Sequence, residues 1–252
     1  MSEHRVKGPI LVLQHAGCEP PGVYEDELLA RRLAFARVVL DEGGELPDWR
    51  AYAAIVVMGG GMSAGDEHEH PWLVPEKRLI GEAVHAGIPY WGVCLGAQLL
   101  AASLGADVRR GPQPELGVLP VQLTEEAASD PVFSAAPSMF AALQWHGDTY
   151  SLPAGAVRLA GSELYEQQAF VLPHPTAGGG AYGLQFHLEV DSALAEQWMQ
   201  IPGYISELQA LGGADAPTVM LEQVRREQAR SVPLARELFG RWLELVVAPT
   251  AR

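Results

Sequence analysis

Apolar residues along the chain fall into short runs separated by turn-forming residues. The first, Ile10-Leu11-Val12-Leu13, is too short for a helix and precedes a breaker-rich stretch at 17–22, so it reads as a buried strand. Residues 53–58, closed by Gly59-Gly60-Gly61, and residues 88–93, followed at once by Cys94, read the same way. Helical spacings lie between them. Leu29, Leu33, Ala36 and Leu40 recur behind the acidic opening Glu25-Asp26-Glu27, which suits the positive end of a helix dipole. A proline-bounded helix is predicted over 74–86 and another over 95–104. Nearly continuous apolar strands alternating with helices predict an α/β fold with a parallel sheet covered on both faces.

From 111 to 180 the pattern changes. Prolines and short β-like segments at 118–123, 156–160 and 169–172 predict a mixed or antiparallel extension of the same sheet. A last strand, 182–186, runs into His187. Beyond Val190 the pattern is helical, at 193–211, 220–229 and 234–247, with breaks expected at Gly212-Gly213 and at Ser231-Val232-Pro233. The chain therefore divides into a main domain, 1–190, and a C-terminal helical extension, 191–252, packed on the same domain.

Composition narrows the functional classes. A length of 252 residues suits one domain, and 27 glycines with 19 prolines fall short of the ~25–30% that marks low-complexity chains. The net charge of −14, with only 17 basic residues, argues against nucleic acid and anionic membranes as partners, because both are bound by Lys and Arg. Two cysteines make no disulfide framework, and no zinc-site spacing occurs. Residues 1–9 carry no apolar signal-peptide core, and no run approaches the ~20 residues of a membrane span. A cytoplasmic protein without metal or cofactor is expected; the oligomeric state is left open.

The most informative segment is Gly92-Val93-Cys94-Leu95-Gly96, a G-x-C-x-G at a predicted strand-to-helix junction. This is the nucleophile-elbow pattern with cysteine in place of serine: a sharp turn thrusts the side chain outward, and the flanking glycines let backbone pack closely. A helix amino terminus there favours thiolate over thiol. The plain alternative is a buried core cysteine. A thiolate needs a base and a group that orients the base. His187 and Glu189 share one face if the chain stays extended after the last strand. The three glycines at 59–61 end an earlier strand at its carboxyl edge, where open α/β sheets bind ligands. Their amides, with that of Leu95, are placed to stabilise an oxyanion; the alternative is a tight turn.

These residues resemble the class I glutamine amidotransferases, which carry a Cys-His-Glu triad. The matching pieces are VVMGGGMS, GVCLGAQLLAASLG, QWHGD and YGLQFHLEV, in the family's order. The likeness is greatest to small free-standing members related to the amidotransferase domain of GMP synthase. It implies a flavodoxin-like three-layer sandwich, with a mostly parallel central sheet, an antiparallel extension and extra C-terminal helices. It also implies Cys94 as nucleophile, His187 as general base and acid, and Glu189 as its orienter. Gly60 and Leu95 would give the oxyanion amides, and Gly59, Gln98, His146 and Asp148 would contact substrate. The implied substrate is L-glutamine, or another γ-glutamyl compound, hydrolysed through a thioester to glutamate and ammonia. A separate synthase subunit would take the ammonia. One departure is visible: Leu188 stands where the family usually has proline, and since proline only fixes φ and removes a donor, the triad is expected to persist.

Other features receive plainer readings. The run Asp66-Glu67-His68-Glu69-His70 holds metal-ligand residue types but reads as a solvated or lid segment. Cys18 lacks the elbow context and reads as incidental. Trp198, Tyr204 and Trp242 read as core or partner interface. Two rival functions remain, a stand-alone γ-glutamyl hydrolase or peptidase with the same triad and a catalytically silent binding module. A cysteine-elbow α/β-hydrolase ranks below them, because its acid normally precedes its histidine.

Overall fold

The computed structural model describes residues 8–174 and 179–247; most of the polar stretch 1–9 lies outside them. Strands β1 (Ile10–Gln14), β2 (Phe35–Val39), β3 (Ala54–Val57), β4 (Tyr90–Val93), β5 (Val108–Leu123), β6 (Met139–Tyr150), β7 (Val157–Gly161), β8 (Ala169–Leu172) and β9 (Ala181–Leu184) form one sheet. Its order is β2-β1-β3-β4-β9-β8-β7-β5-β6. The first five strands in that order pair parallel, and the rest are antiparallel. The parallel part thus has the doubly wound order in which the chain reverses between β1 and β3, and ligands bind outside the carboxyl ends of such strands.

Successive residues of the parallel strands face opposite layers, as the pleat requires. Leu11, Leu13, Ile55 and Val57 pack against α2 (Leu73–His85) and α3 (Leu95–Ser103). Val12, Val56, Trp91 and Tyr182 face α1 (Val23–Ala30) and α6 (Ala216–Val247). The three-layer sandwich expected from the resemblance is present, and the long C-terminal helix forms part of one outer layer. Between β9 and α6 lie α4 (Ser192–Trp198) and α5 (Pro202–Gly212).

Four expectations from the sequence need correction. The helical spacing across 29–40 does not make one helix. α1 ends at Ala30, Arg32 takes a left-handed φ of 54°, and Phe-Ala-Arg-Val-Val becomes edge strand β2, paired residue for residue with β1. Aromatic and β-branched residues on a half-buried edge, with a ladder available, outweigh a fortuitous 3.6-residue spacing. Strand β6 is absent from the sequence reading. Its mixed, Gly147-containing run gains strand form by pairing with β5, which begins ten residues earlier than expected and shifts register between Arg110 and Glu115, around Pro112 and Pro114. The helix expected over 193–211 is two, because Pro202 opens a new one at α5. No break occurs at 231–233: α6 runs through Pro233, which lies on the exposed side while Ala235, Leu238 and Phe239 are buried.

Trp242 is fully buried, stacked on Phe239 at 5.4 Å and 5.7 Å from Trp91 in the central strand β4. Trp242→Ala should therefore lower unfolding free energy by roughly 3–5 kcal/mol in urea titrations. A loss below about 1 kcal/mol would mark α6 as an appendage rather than a layer of the core.

Candidate active site

Cys94 follows β4 directly and is the residue from which α3 starts, with φ 51° and ψ −107°. This conformation disfavours a Cβ-bearing residue, and the glycines around it show what holds it. A Cβ on Gly96 would lie 2.2 Å from the Val57 carbonyl oxygen, and one on Gly92 would lie 2.6 Å from that of Gly96. Only glycine admits this closeness of strand and helix. The Cys94 amide donates to the Leu184 carbonyl at 2.7 Å, tying the turn to the end of β9.

Beyond β9 the chain bends on either side of a single bridge at His187, yet alternate residues still face one side, with Phe186 and Leu188 turned into the core. His187 exchanges backbone hydrogen bonds with Leu143 of β6, at 2.8 and 3.3 Å. Its Nδ1 is 2.6 Å from Glu189 Oε1, with both side chains buried. Burial alone would push the imidazole down, but Glu189 and the adjacent Cys94 more than offset this, and His187 lies well above the usual range. The same alternation places Gln185 on this face. Its Nε2 is 3.6 Å from Cys94 Sγ, and its Oε1 accepts from Gln98 Nε2 at 3.2 Å. Leu188, in the position where the family usually has proline, buries its side chain in the core.

The glycine turn follows β3. A Cβ on Gly59 would meet His187 Cε1 at 3.2 Å and Cys94 Cβ at 3.6 Å, so the turn lies against both side chains. Among the described residues, neither the Gly60 nor the Leu95 amide has a hydrogen-bond acceptor. Thiol, imidazole and carboxylate in sequence, next to two unsatisfied amides, are chemically suited to attack on a carbonyl carbon.

A cavity of about 510 Å³ opens over this group, lined among others by Cys94, His187, Gln98 and Gly60. His146 and Asp148 also line it, but both are committed. His146 Nδ1 donates to the Asp148 carbonyl at 2.9 Å and its Nε2 is 3.1 Å from Glu115 Oε2. Asp148 accepts from Ser63 Oγ at 2.7 Å, which anchors the loop after the glycine turn.

Several cavity residues escaped the sequence reading. Glu19 lines the wall, hydrogen-bonded to the Tyr204 hydroxyl. Burial holds its carboxyl above the usual range against the pull of Tyr204, His187 and His15. Trp198, expected in core or interface, is buried in a small hydrophobic cluster against which Tyr204 packs, and both also line the cavity. The break at Pro202 folds α5 back over it, and both rings pack edge-on to Trp145 at 5.8 and 5.2 Å. Trp242 is in the core as one of the expected alternatives had it. Cys18, read as incidental, is exposed, but its Sγ is 3.3 Å from the Tyr204 hydroxyl. Asp66 accepts from the Ser63 amide, and Glu67 pairs with Lys77. No group of three or more metal-ligating side chains occurs among the described residues, and no described helix is long and apolar enough to cross a membrane.

The family model for glutamine amidotransferase class-I matches residues 33–200. The chain is 32% identical over 157 residues to the glutamine amidotransferase-like protein YfeJ of Salmonella typhimurium, covering 61% of this chain and 64% of that one. It is 33% identical over 137 residues to a glutamine-hydrolyzing GMP synthase subunit from Methanoculleus marisnigri, covering 54% and 65%. The matches thus span less than two thirds of these relatives. In structure it resembles a glutamine amidotransferase from Thermotoga maritima, with a TM-score of 0.83, 33% identity, and coverage of 98% of this chain and 100% of that one. On the matched elbow, the glycine turn and the whole-chain likeness in fold, the chain belongs to the class I glutamine amidotransferase family.

Proposed function

We propose that the protein hydrolyses the γ-carboxamide of glutamine through a Cys94 γ-glutamyl thioester, giving glutamate and ammonia. The observation that carries this reading is the convergence of the strained Cys94 turn and the His187–Glu189 pair at the floor of one cavity. His187 takes the proton of the Cys94 thiol. The sulfur attacks the amide carbon, the Gly60 and Leu95 amides receive the developing oxyanion, and His187 passes its proton to the departing ammonia. Neutral His187 then takes a proton from water, which attacks the thioester, and glutamate leaves as His187 returns that proton to Cys94. Glu189 fixes which ring nitrogen faces the sulfur. Gln98, Asp148 and His146 line the substrate's end of the cavity, and Gly59 packs behind it against Cys94 and His187.

The ammonia is proposed to pass to a separate synthase, in keeping with the M. marisnigri relative, which is named as one subunit of a GMP synthase. A second reading, a stand-alone γ-glutamyl hydrolase, is favoured by the reach of the cavity. It extends past the triad to Arg110, Glu207 and Leu211, where a larger leaving group would lie.

Glutamate and ammonia release should be measured from glutamine and from a panel of γ-glutamyl amides, adding an ATP-dependent synthase where the first reading is tested. Wild type should turn over at least one of them, and Cys94→Ser should reduce kcat on the order of 10⁴-fold or more. A wild type inert toward all of them, with Cys94 unreactive to a glutamine-like electrophile, would leave a silent binding module.

His187 binds its proton more tightly folded than unfolded, so it stabilises the fold below about pH 6.5, and that contribution is lost as pH rises through its raised value. The stability gap between wild type and His187→Gln in urea should be widest at acid pH and narrow toward alkaline pH. A gap that grows with pH would contradict the raised proton affinity.

A further inference from the structure

His15 and Glu76 form a buried pair that the proposed chemistry does not use. Both are fully buried, with His15 Nε2 3.0 Å from Glu76 Oε1 and His15 Nδ1 2.9 Å from the Gly59 carbonyl oxygen. A carbonyl only accepts, so Nδ1 carries a hydrogen whichever partner holds the proton between Nε2 and Glu76. The peptide that follows is trans. In a trans peptide the Gly59 C=O and the Gly60 N–H share one plane and point in opposite directions. Holding the carbonyl on the His15 side therefore turns the Gly60 N–H away from His15, on a residue that lines the cavity.

Three glycines in a row make this peptide easy to rotate, since no Cβ resists a change of φ or ψ. The turn therefore needs an external anchor. We infer that His15, oriented by Glu76, is the positioning residue that fixes the Gly59–Gly60 peptide plane and so keeps the Gly60 amide aimed at the developing oxyanion. Packing supports this role, because a Cβ on Gly60 would lie 3.0 Å from His15 Cβ and 2.9 Å from Leu95 Cδ2. The anchor joins three elements: His15 follows β1, Glu76 lies in the first turn of α2, and the glycines end β3. An apolar pair would fill the same volume without the cost of desolvating two ionisable groups. What His15 and Glu76 add is a donor directed at one turn carbonyl.

The inference rests on the reading of Cys94 and Gly60 given above, and the test separates the two. Wild type, His15→Leu, His15→Asn and Glu76→Gln would be compared in two reactions: hydrolysis of the best γ-glutamyl amide, and alkylation of Cys94 by iodoacetamide. Alkylation displaces iodide at a saturated carbon and forms no oxyanion, so it reports the thiolate and the fold but not the amide donor. His15→Leu should lower kcat roughly 100- to 1000-fold, the usual cost of one oxyanion donor, with KM and the alkylation rate each within about threefold of wild type. His15→Asn, whose side-chain amide keeps a donor near the Nδ1 position, should recover most of the lost kcat. Glu76→Gln should fall between. A His15→Leu variant as fast as wild type, or one whose alkylation rate falls in step with kcat, overturns the inference alone. A wild type that is alkylated but hydrolyses nothing overturns the functional reading, and this inference with it.

Discussion

Cys94 carries a Cβ at φ 51°, a backbone state that costs on the order of 1–3 kcal/mol and persists only where the surroundings leave no alternative. The alternatives are closed by main-chain contacts. The Gly96 α-carbon presses on the Val57 carbonyl, the Tyr90 hydroxyl donates to the Gly96 carbonyl at 2.7 Å, and the Cys94 amide is held by Leu184. Each partner belongs to β3, β4 or β9, three adjacent parallel strands. The thiol is thereby positioned relative to the glycine turn after β3 and to His187 after β9 by the register of the sheet, not by loops.

Three buried histidine–glutamate pairs occur in this region, His15–Glu76, His146–Glu115 and His187–Glu189, and two of their rings, His146 and His187, line the cavity. In each the carboxylate orients the ring, and the other nitrogen decides what the ring is for. That nitrogen serves the Gly59 carbonyl in His15 and the Asp148 carbonyl in His146. In His187 it is left for Cys94. Only His187 therefore has a ring nitrogen that can exchange a proton with a reacting group, and the structure separates one proposed base from two anchors of similar composition. Glu115 shows how firmly such an anchor is fixed, since it also accepts from Ser162 at 2.7 Å and Gln168 at 2.6 Å.

The meeting of Cys94, His187 and Glu189, the proposed triad, was legible in sequence because its signals are local. Glycines two residues either side of Cys94 mark the elbow, and a His-x-Glu after an apolar strand marks a shared face. Gln185 obeys the same two-residue period as His187 and Glu189, so attention to the whole alternating set would have found it. His15 and Glu76 are 61 residues apart and meet only because β1 lies beside β3 and α2 packs across them; no local pattern encodes that meeting. Edge strands β2 and β6 were missed for a related reason. Their residues have weak or misleading periodicity, and their conformation is decided by the ladder offered by β1 and β5.

The boundary expected at 190 separates less than it implies. Cys94, His187 and Glu189 all fall inside the segment matched by the family model, 33–200. Glu19, Tyr204, Glu207 and Leu211, which line the same cavity, fall outside it on either side. The Glu19–Tyr204 hydrogen bond joins these two outer segments directly, and the Trp198 indole donates to the Cys18 carbonyl at 2.8 Å beside it. The helix that follows, α6, then packs Phe239 and Trp242 under β4, the strand that ends in Cys94. The C-terminal helices thus contribute both to the wall facing the proposed thioester and to the core beneath it. The matched segment carries the proposed triad together with much of the cavity lining, and residues of both flanking segments complete the wall.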